Sequence, residues 1–166
     1  RLFVNGQAQG QWDLFYKEFI EENANLADMK IAYLNTYLIS EINRFSGYFS
    51  VEREELLLFL ANFPIYRTYV EKDRIAQEDR KAIEYAASFT RGNFFREEIF
   101  KPEHRNALIK LQQIMPCVFA KGYEDTYLYR NVKLTSLNEV GGDVDFFSIS
   151  NESFFASMKK IYDNTN

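Results

Sequence analysis

The sequence is short of the softer metal ligands: it carries one cysteine, Cys117, and one histidine, His104. That excludes an intrachain disulfide and a Cys/His zinc site, and no cofactor or metal is expected. A lone thiol fits a reducing compartment, so the expected location is cytoplasmic. Positive charge does not dominate either. There are 20 Lys and Arg against 24 Asp and Glu, a net charge of −4. Nucleic acid is not an expected partner, because binding it needs clustered basic residues. Long apolar runs are missing. The longest, Leu56 to Ala61, is far too short to span a bilayer, and no membrane partner is expected. No signal-peptide pattern opens the chain, which starts at Arg1 rather than Met, and an excised piece of a longer protein is the expectation. With 3 prolines, 7 glycines and no repeat, low-complexity tract or linker, the sequence reads as one mostly helical domain over residues 1–166.

Aromatic residues, by contrast, are plentiful at 17% of the chain. At this level they can fill a core or stack on sugars. A chain of this length buries roughly 68–70% of its unfolded surface, so a core without cross-links is expected.

Apolar spacing predicts helices over most of the chain. One spans about Trp12 to Glu22. Asn25, with Asp28 three residues on, reads as the start of a long helix that Ser46-Gly47 stops near Phe45. Ser50 reads as the cap of a third helix, with Glu52 in its first turn, which Pro64 breaks. The stretch Pro64 to Val70 alternates aromatic or β-branched residues with polar ones, as extended chain does. A fourth helix covers about Ala76 to Arg91 and a short one Phe94 to Phe100. Pro102 suits the first position of a fifth, which Pro116 ends or kinks. A short helix near Glu124 to Arg130, a turn at Gly141-Gly142-Asp143 and a last helix from Ser150 to about Tyr162 complete the pattern. Six or seven helices and little strand make the expected class mainly α, a bundle or an orthogonal array. A whole (β/α)8 barrel is excluded, because it needs about 250 residues.

The densest polar cluster is Lys121-Gly122-Tyr123-Glu124-Asp125-Thr126-Tyr127-Leu128-Tyr129-Arg130. On an α-helix Asp125 and Tyr129 share a face, with Lys121 nearby. Carboxylates and a cation that grip hydroxyls, beside an aromatic face, are what a sugar site needs. The same acids would also suit a plain helix N-terminus, with Arg130 paired on the surface. Glu124 and Asp125 are no catalytic dyad. Helix neighbours point about 100° apart, whereas a retaining glycosidase sets two carboxylates about 5–5.5 Å apart across the bond it breaks. Asn138-Glu139-Val140-Gly141-Gly142-Asp143 reads as a turn and lacks the spacing of a phosphate loop. Arg67 is expected to brace the fold among Tyr66 and Tyr69, His104 to sit on the surface, and Cys117 to be buried.

Taken together, these stretches resemble the maltooligosyl trehalose synthases of the α-amylase superfamily. The resemblance rests on Phe119-Ala120-Lys121-Gly122-Tyr123-Glu124-Asp125-Thr126, Tyr129-Arg130, Ser136-Leu137-Asn138-Glu139-Val140-Gly141-Gly142-Asp143 and Phe63-Pro64-Ile65-Tyr66-Arg67-Thr68-Tyr69. Leu2-Phe3-Val4 and Glu41-Ile42-Asn43-Arg44 also fit, in the same order along nearly the whole chain. Departures are modest. Met115-Pro116-Cys117-Val118 stands where Gly-Pro-Val-Met is usual, Val144 replaces a Pro, and Arg130-Asn131-Val132 replaces Arg-Tyr-Asn.

The resemblance implies a parent enzyme that isomerises the reducing-end α-1,4 bond of a maltooligosaccharide to an α,α-1,1 bond, in trehalose biosynthesis. The family's catalytic carboxylates lie before and after the matching stretch, and no His-Asp pair occurs here. The chain would thus be a helical insertion of a (β/α)8-barrel enzyme, inactive alone. The implied substrate-contacting residues are Lys121, Glu124, Asp125, Tyr129, Arg130, Asn138 and Glu139, walling the pocket of the released glucose. A stand-alone helical interaction module with no sugar role is the alternative.

Overall fold

Asn25 opens the first helix of the larger structural unit in the way its side chain suggests. Its carboxamide oxygen accepts the Ala27 N–H at 2.9 Å, satisfying one of the free donors at a helix start. The computed structural model describes residues 1–19 and 25–165. The chain forms two compact units, the larger over 24–127 and the smaller from 1–23 with 128–166. Among the described residues the ordered structure is helical, with no strand, as expected for a mainly α chain.

In the larger unit, α2 (Leu26–Tyr37), α3 (Ile39–Phe49), α4 (Arg53–Ala61), α5 (Gln77–Ala87) and α6 (Arg105–Val118) follow one another. The smaller unit holds α1 (Gln9–Lys17), the single turn α7 (Tyr129–Asn131) and α8 (Asn151–Thr165). The expected first helix begins earlier than Trp12, and residues 20–22 of its expected span lie outside the described residues.

Helix α4 is the hub of the larger unit and packs against α2, α3, α5 and α6. Five of its nine residues, Leu56, Leu57, Phe59, Leu60 and Ala61, are buried. That removes nearly the whole helix surface from water and explains its unbroken apolar run. Phe59 stacks on Phe95 with ring centroids 4.3 Å apart, and Phe49 lies against both Phe94 and Phe95. Phenylalanine therefore fills this core, whereas no tyrosine is among the buried residues. The ring with a hydroxyl stays where its oxygen meets water, and the ring without one goes inside.

Several expected boundaries move. The long helix breaks at Leu38 (φ −120°, ψ 24°) into α2 and α3. Ser46-Gly47 does not stop α3, which runs on to Phe49. It ends at Ser50, whose left-handed φ of 52° closes the helix. Ser50 is thus a C-cap rather than the start of the next helix, and Glu52 takes that place before α4. Pro116 lies inside α6 instead of ending it. Cys117 is exposed rather than buried, because the inward face of α6 runs through Leu108, Leu111, Met115 and Val118 and leaves Cys117 off it. In the smaller unit, Ser150 caps α8 as expected, accepting the Ser153 N–H at 3.1 Å. None of the residues of α8 is buried, and Phe155, Met158, Ile161 and Tyr162 lie open along it.

The stretch after Pro64, expected to be extended, bends at Ile65 and Tyr66 and pairs with no strand among the described residues. Gln112 of α6 supplies the missing partner. Its carbonyl accepts the Val70 N–H at 2.8 Å and its amide donates to the Val70 carbonyl at 3.0 Å. The Thr68 hydroxyl also donates to it, at 3.0 Å. Arg67 braces as expected, with its guanidinium 4.6 Å from the Tyr69 ring centre. Replacing Gln112 by Leu keeps the bulk but strands two buried backbone groups, each costing about 1–3 kcal/mol. Urea unfolding of Gln112→Leu is expected to show a loss of about 2–4 kcal/mol, and a loss below about 1 kcal/mol would contradict this pairing.

Candidate functional site

Pro116 has no N–H to give to the α-helical ladder, and three residues later the ladder changes register. From Phe119 to Leu128 the backbone is a π-helix, with bonds from residue i to i+5. Such stretches are rare, and those that occur gather at functional sites. This one coincides with the polar cluster singled out in the sequence, where an α-helix from Glu124 to Arg130 was expected. The Thr126 hydroxyl follows the same i to i+5 spacing and donates to the Lys121 carbonyl at 2.6 Å.

Gly122 is buried where the π-helix crosses α2. A methyl group built on it would stand 2.6 Å from Cγ of Lys30 and 3.1 Å from Lys30 Cα. The backbones meet so closely that only a residue without a side chain fits. Lys30 itself is 3% exposed. Its ammonium donates to the Phe63 carbonyl at 3.3 Å and lies 5.1 Å from the centre of the Phe119 ring. Among the described residues no carboxylate pairs with it, and burial lowers its pKa to about 8. Lys30 is thus the residue that the sequence reading missed. Its only sequence signal is a lysine beside Met29 and Ile31 in an apolar stretch, and surface lysines occur there as readily.

The candidate residues fall into two groups. On the π-helix, Lys121 and Asp125 form an ion pair one turn apart, both side chains more than half exposed. The bond from Asp125 is the main reason the Lys121 pKa is raised, so its ammonium remains a donor at neutral pH. Asp125 therefore meets Lys121, the neighbour that the sequence places beside it. Glu124 is half-buried beside it. Phe119, Tyr123 and Tyr127 form a row of rings, with centroids 5.1 and 5.9 Å apart, and Tyr66 abuts its first member at 5.7 Å. The Phe63 to Tyr69 stretch and the Phe119 to Thr126 stretch thus meet through Tyr66, Phe119 and Lys30.

Tyr129, Arg130, Asn138 and Glu139 belong to the smaller unit. Tyr129 and Arg130 are exposed, and the Arg130 carbonyl accepts from the Tyr16 hydroxyl. The Glu139 carboxylate is held by the Arg1 guanidinium, which also donates to the Asp143 carbonyl at 2.8 Å. Asn138 is exposed at the end of a 3-10 turn. Gly141 has φ +75°, and Gly142 donates to the Glu139 carbonyl at 2.8 Å, so this motif is a tight turn. Among the described residues no group of three or more His, Cys, Asp or Glu is placed to hold a metal ion, and no helix is long and apolar enough to cross a membrane.

Two measurements test the Lys30 and Gly122 contact. Gly122→Ala is expected to lower stability by about 1–3 kcal/mol, as overpacking does. An unchanged melting point would show that the helices are not in contact there. For Lys30 the sign follows from its lowered pKa. Between about 8 and the ordinary 10.5 the unfolded chain binds more protons, so stability rises with pH across that window and is lowest below it. Lys30→Met is expected to remove on the order of 3 kcal/mol of that rise. Denaturation curves of both proteins at pH 7 and pH 10.5, differing by the same amount, would contradict a buried unpaired ammonium.

Neither a protein-family model nor any curated protein matches the sequence. Solved structures do. The DSM5389 glycosyltrehalose synthase is 33% identical over 92% of this chain, with a TM-score of 0.72. A hypothetical maltooligosyl trehalose synthase of Sulfolobus tokodaii is 31% identical over 93%, with a TM-score of 0.75. A further maltooligosyl trehalose synthase is 30% identical over 94%, with a TM-score of 0.62. This chain spans only about a fifth of each, at 20%, 21% and 20% of their lengths. Fold and sequence agree along more than nine-tenths of its length, and the chain belongs to the maltooligosyl trehalose synthase family, as the counterpart of one helical segment of those longer enzymes.

Proposed function

We propose that this chain is the part of a maltooligosyl trehalose synthase that helps wall the pocket for the released glucose. The observation that carries the reading is the exposed Lys121 and Asp125 pair, presented by a π-helix whose base is fixed on Lys30. A glucose hydroxyl both donates and accepts, and a fixed ammonium beside a fixed carboxylate answers both needs. The family likeness supplies the reaction: the reducing-end α-1,4 bond of a maltooligosaccharide becomes an α,α-1,1 bond.

In a retaining mechanism one carboxylate forms a glycosyl-enzyme while a second acts as acid and then base. Those carboxylates belong to parts of the longer enzyme outside this chain. The contribution of this segment is positional. The freed glucose has to turn and attack through its anomeric hydroxyl while water is kept out, since water attack gives hydrolysis instead. Hydrogen bonds from Lys121 and Asp125 would hold that glucose for the turn. Glu124 is the further contact that the same unit offers, and the resemblance adds Tyr129, Arg130, Asn138 and Glu139 of the smaller unit as substrate contacts. The open apolar side chains of α8 suit a segment that packs on further protein in the longer enzyme.

In a full-length synthase carrying this segment, Lys121→Ala is expected to cut isomerisation about tenfold or more and to raise the hydrolysed share of product. The ratio of trehalose-capped product to free glucose measures it. An unchanged ratio would remove Lys121 from the pocket.

A further inference from the structure

At the other end of α6 from the π-helix lies a groove of about 210 Å3, lined by Tyr48, Glu103, His104, Asn106, Ala107 and Lys110. The two ends of this 14-residue helix stand about 20 Å apart, at 1.5 Å per residue. The groove is therefore distinct from the Lys121 cluster. We infer that it is an accessory binding site for a single pyranose unit of an α-glucan, an inference that rests on the family reading above for its ligand class.

Three properties of the groove support that assignment. The first is size, which falls below the roughly 300–1,000 Å3 of pockets for drug-sized ligands and suits one ring. The second is a fixed aromatic wall. Tyr48 is half-exposed, with its ring packed edge-on to Phe45 at 6.0 Å. His104, expected on the surface, lies against the rings of Phe49 at 6.3 Å and Phe94 at 4.9 Å. The third is charge. Glu103 and Lys110, both in the lining, carry opposite charges, and the Lys110 ammonium stands 5.5 Å from the Tyr48 ring centre. Their balance disfavours a phosphate and a simple cation alike. Together with the Asn106 amide they offer donors and acceptors side by side, which suits a neutral ligand rich in hydroxyls. The apolar C–H side of a pyranose would lie on the tyrosine ring and its hydroxyls would face Glu103, Asn106 and Lys110.

The test is a nuclear magnetic resonance titration of the chain with maltose, with inorganic phosphate as the control probe. Maltose is expected to move the Asn106 and Ala107 amides and the Tyr48 ring signals saturably in the millimolar range, and phosphate to leave them in place. Tyr48→Ala is expected to weaken maltose binding about fivefold to tenfold, with Asn106→Ala as a second variant should the first disturb the fold. Signals that stay still under maltose, a response to phosphate instead, or variants with unchanged affinity would each overturn the assignment. Lys121 and Asp125 report separately in the same spectra, so the failure of one site is distinguishable from the failure of the other.

Discussion

The approach of Lys30 to Gly122 is the constraint on which the candidate site depends. Helix α2 and the π-helix touch there backbone to side-chain stem, and no larger residue than glycine fits the crossing. The same lysine reaches the Phe63 carbonyl and the Phe119 ring. One side chain thereby ties three pieces of chain together: α2, the turn before Pro64 and the base of the π-helix. Burying an ammonium without a carboxylate is unfavourable, and part of that cost shows in its lowered pKa. A methylene-rich side chain of the same length would fill the space more cheaply. Through its contact with Gly122, Lys30 lies against the π-helix that carries Lys121 and Asp125.

The π-helix extends the same logic. The wider ladder after Pro116 lets the Thr126 hydroxyl bond back to the Lys121 carbonyl, and on the same stretch Lys121 pairs with Asp125 four residues on. An exposed pair of opposite charges results, the arrangement on which the proposed glucose contact rests. The groove at the opposite end of α6 uses different means, an aromatic ring and a ring of mixed polar groups, and both rest on the core that α4 organises.

Much of the helical order was legible in the sequence, because amphipathic spacing and caps are local signals. Asn25 and Ser150 cap as their side chains suggest, and Pro102 stands at the head of the 3-10 turn that leads into α6. Boundaries set by tertiary packing were not legible. Gly47 looked like a stop, yet α3 continues through it, since its buried Phe45 and Phe49 hold the helix past that point. Ser50 looked like a start and is an end, because a left-handed residue was needed between α3 and α4. Pro116 looked like the end or a kink of its helix, and it lies inside α6, three residues before the ladder changes register. The residue types of the candidate cluster were plain, whereas Lys30 was not, since nothing local tells a buried lysine from a solvated one. The two-part division of the chain was also hidden, because the smaller unit draws on both ends of the sequence.

The chain spans about a fifth of the length of the trehalose synthases it matches, and the proposal to be tested is that it helps to wall a sugar site and leaves the chemistry to the rest of the longer enzyme. The most direct test is calorimetric titration of the chain with maltooligosaccharides, run beside an assay for trehalose-capped product. The account predicts no turnover and binding no tighter than millimolar. Detectable turnover would contradict it, since a working pair of catalytic carboxylates would then have to lie within these residues.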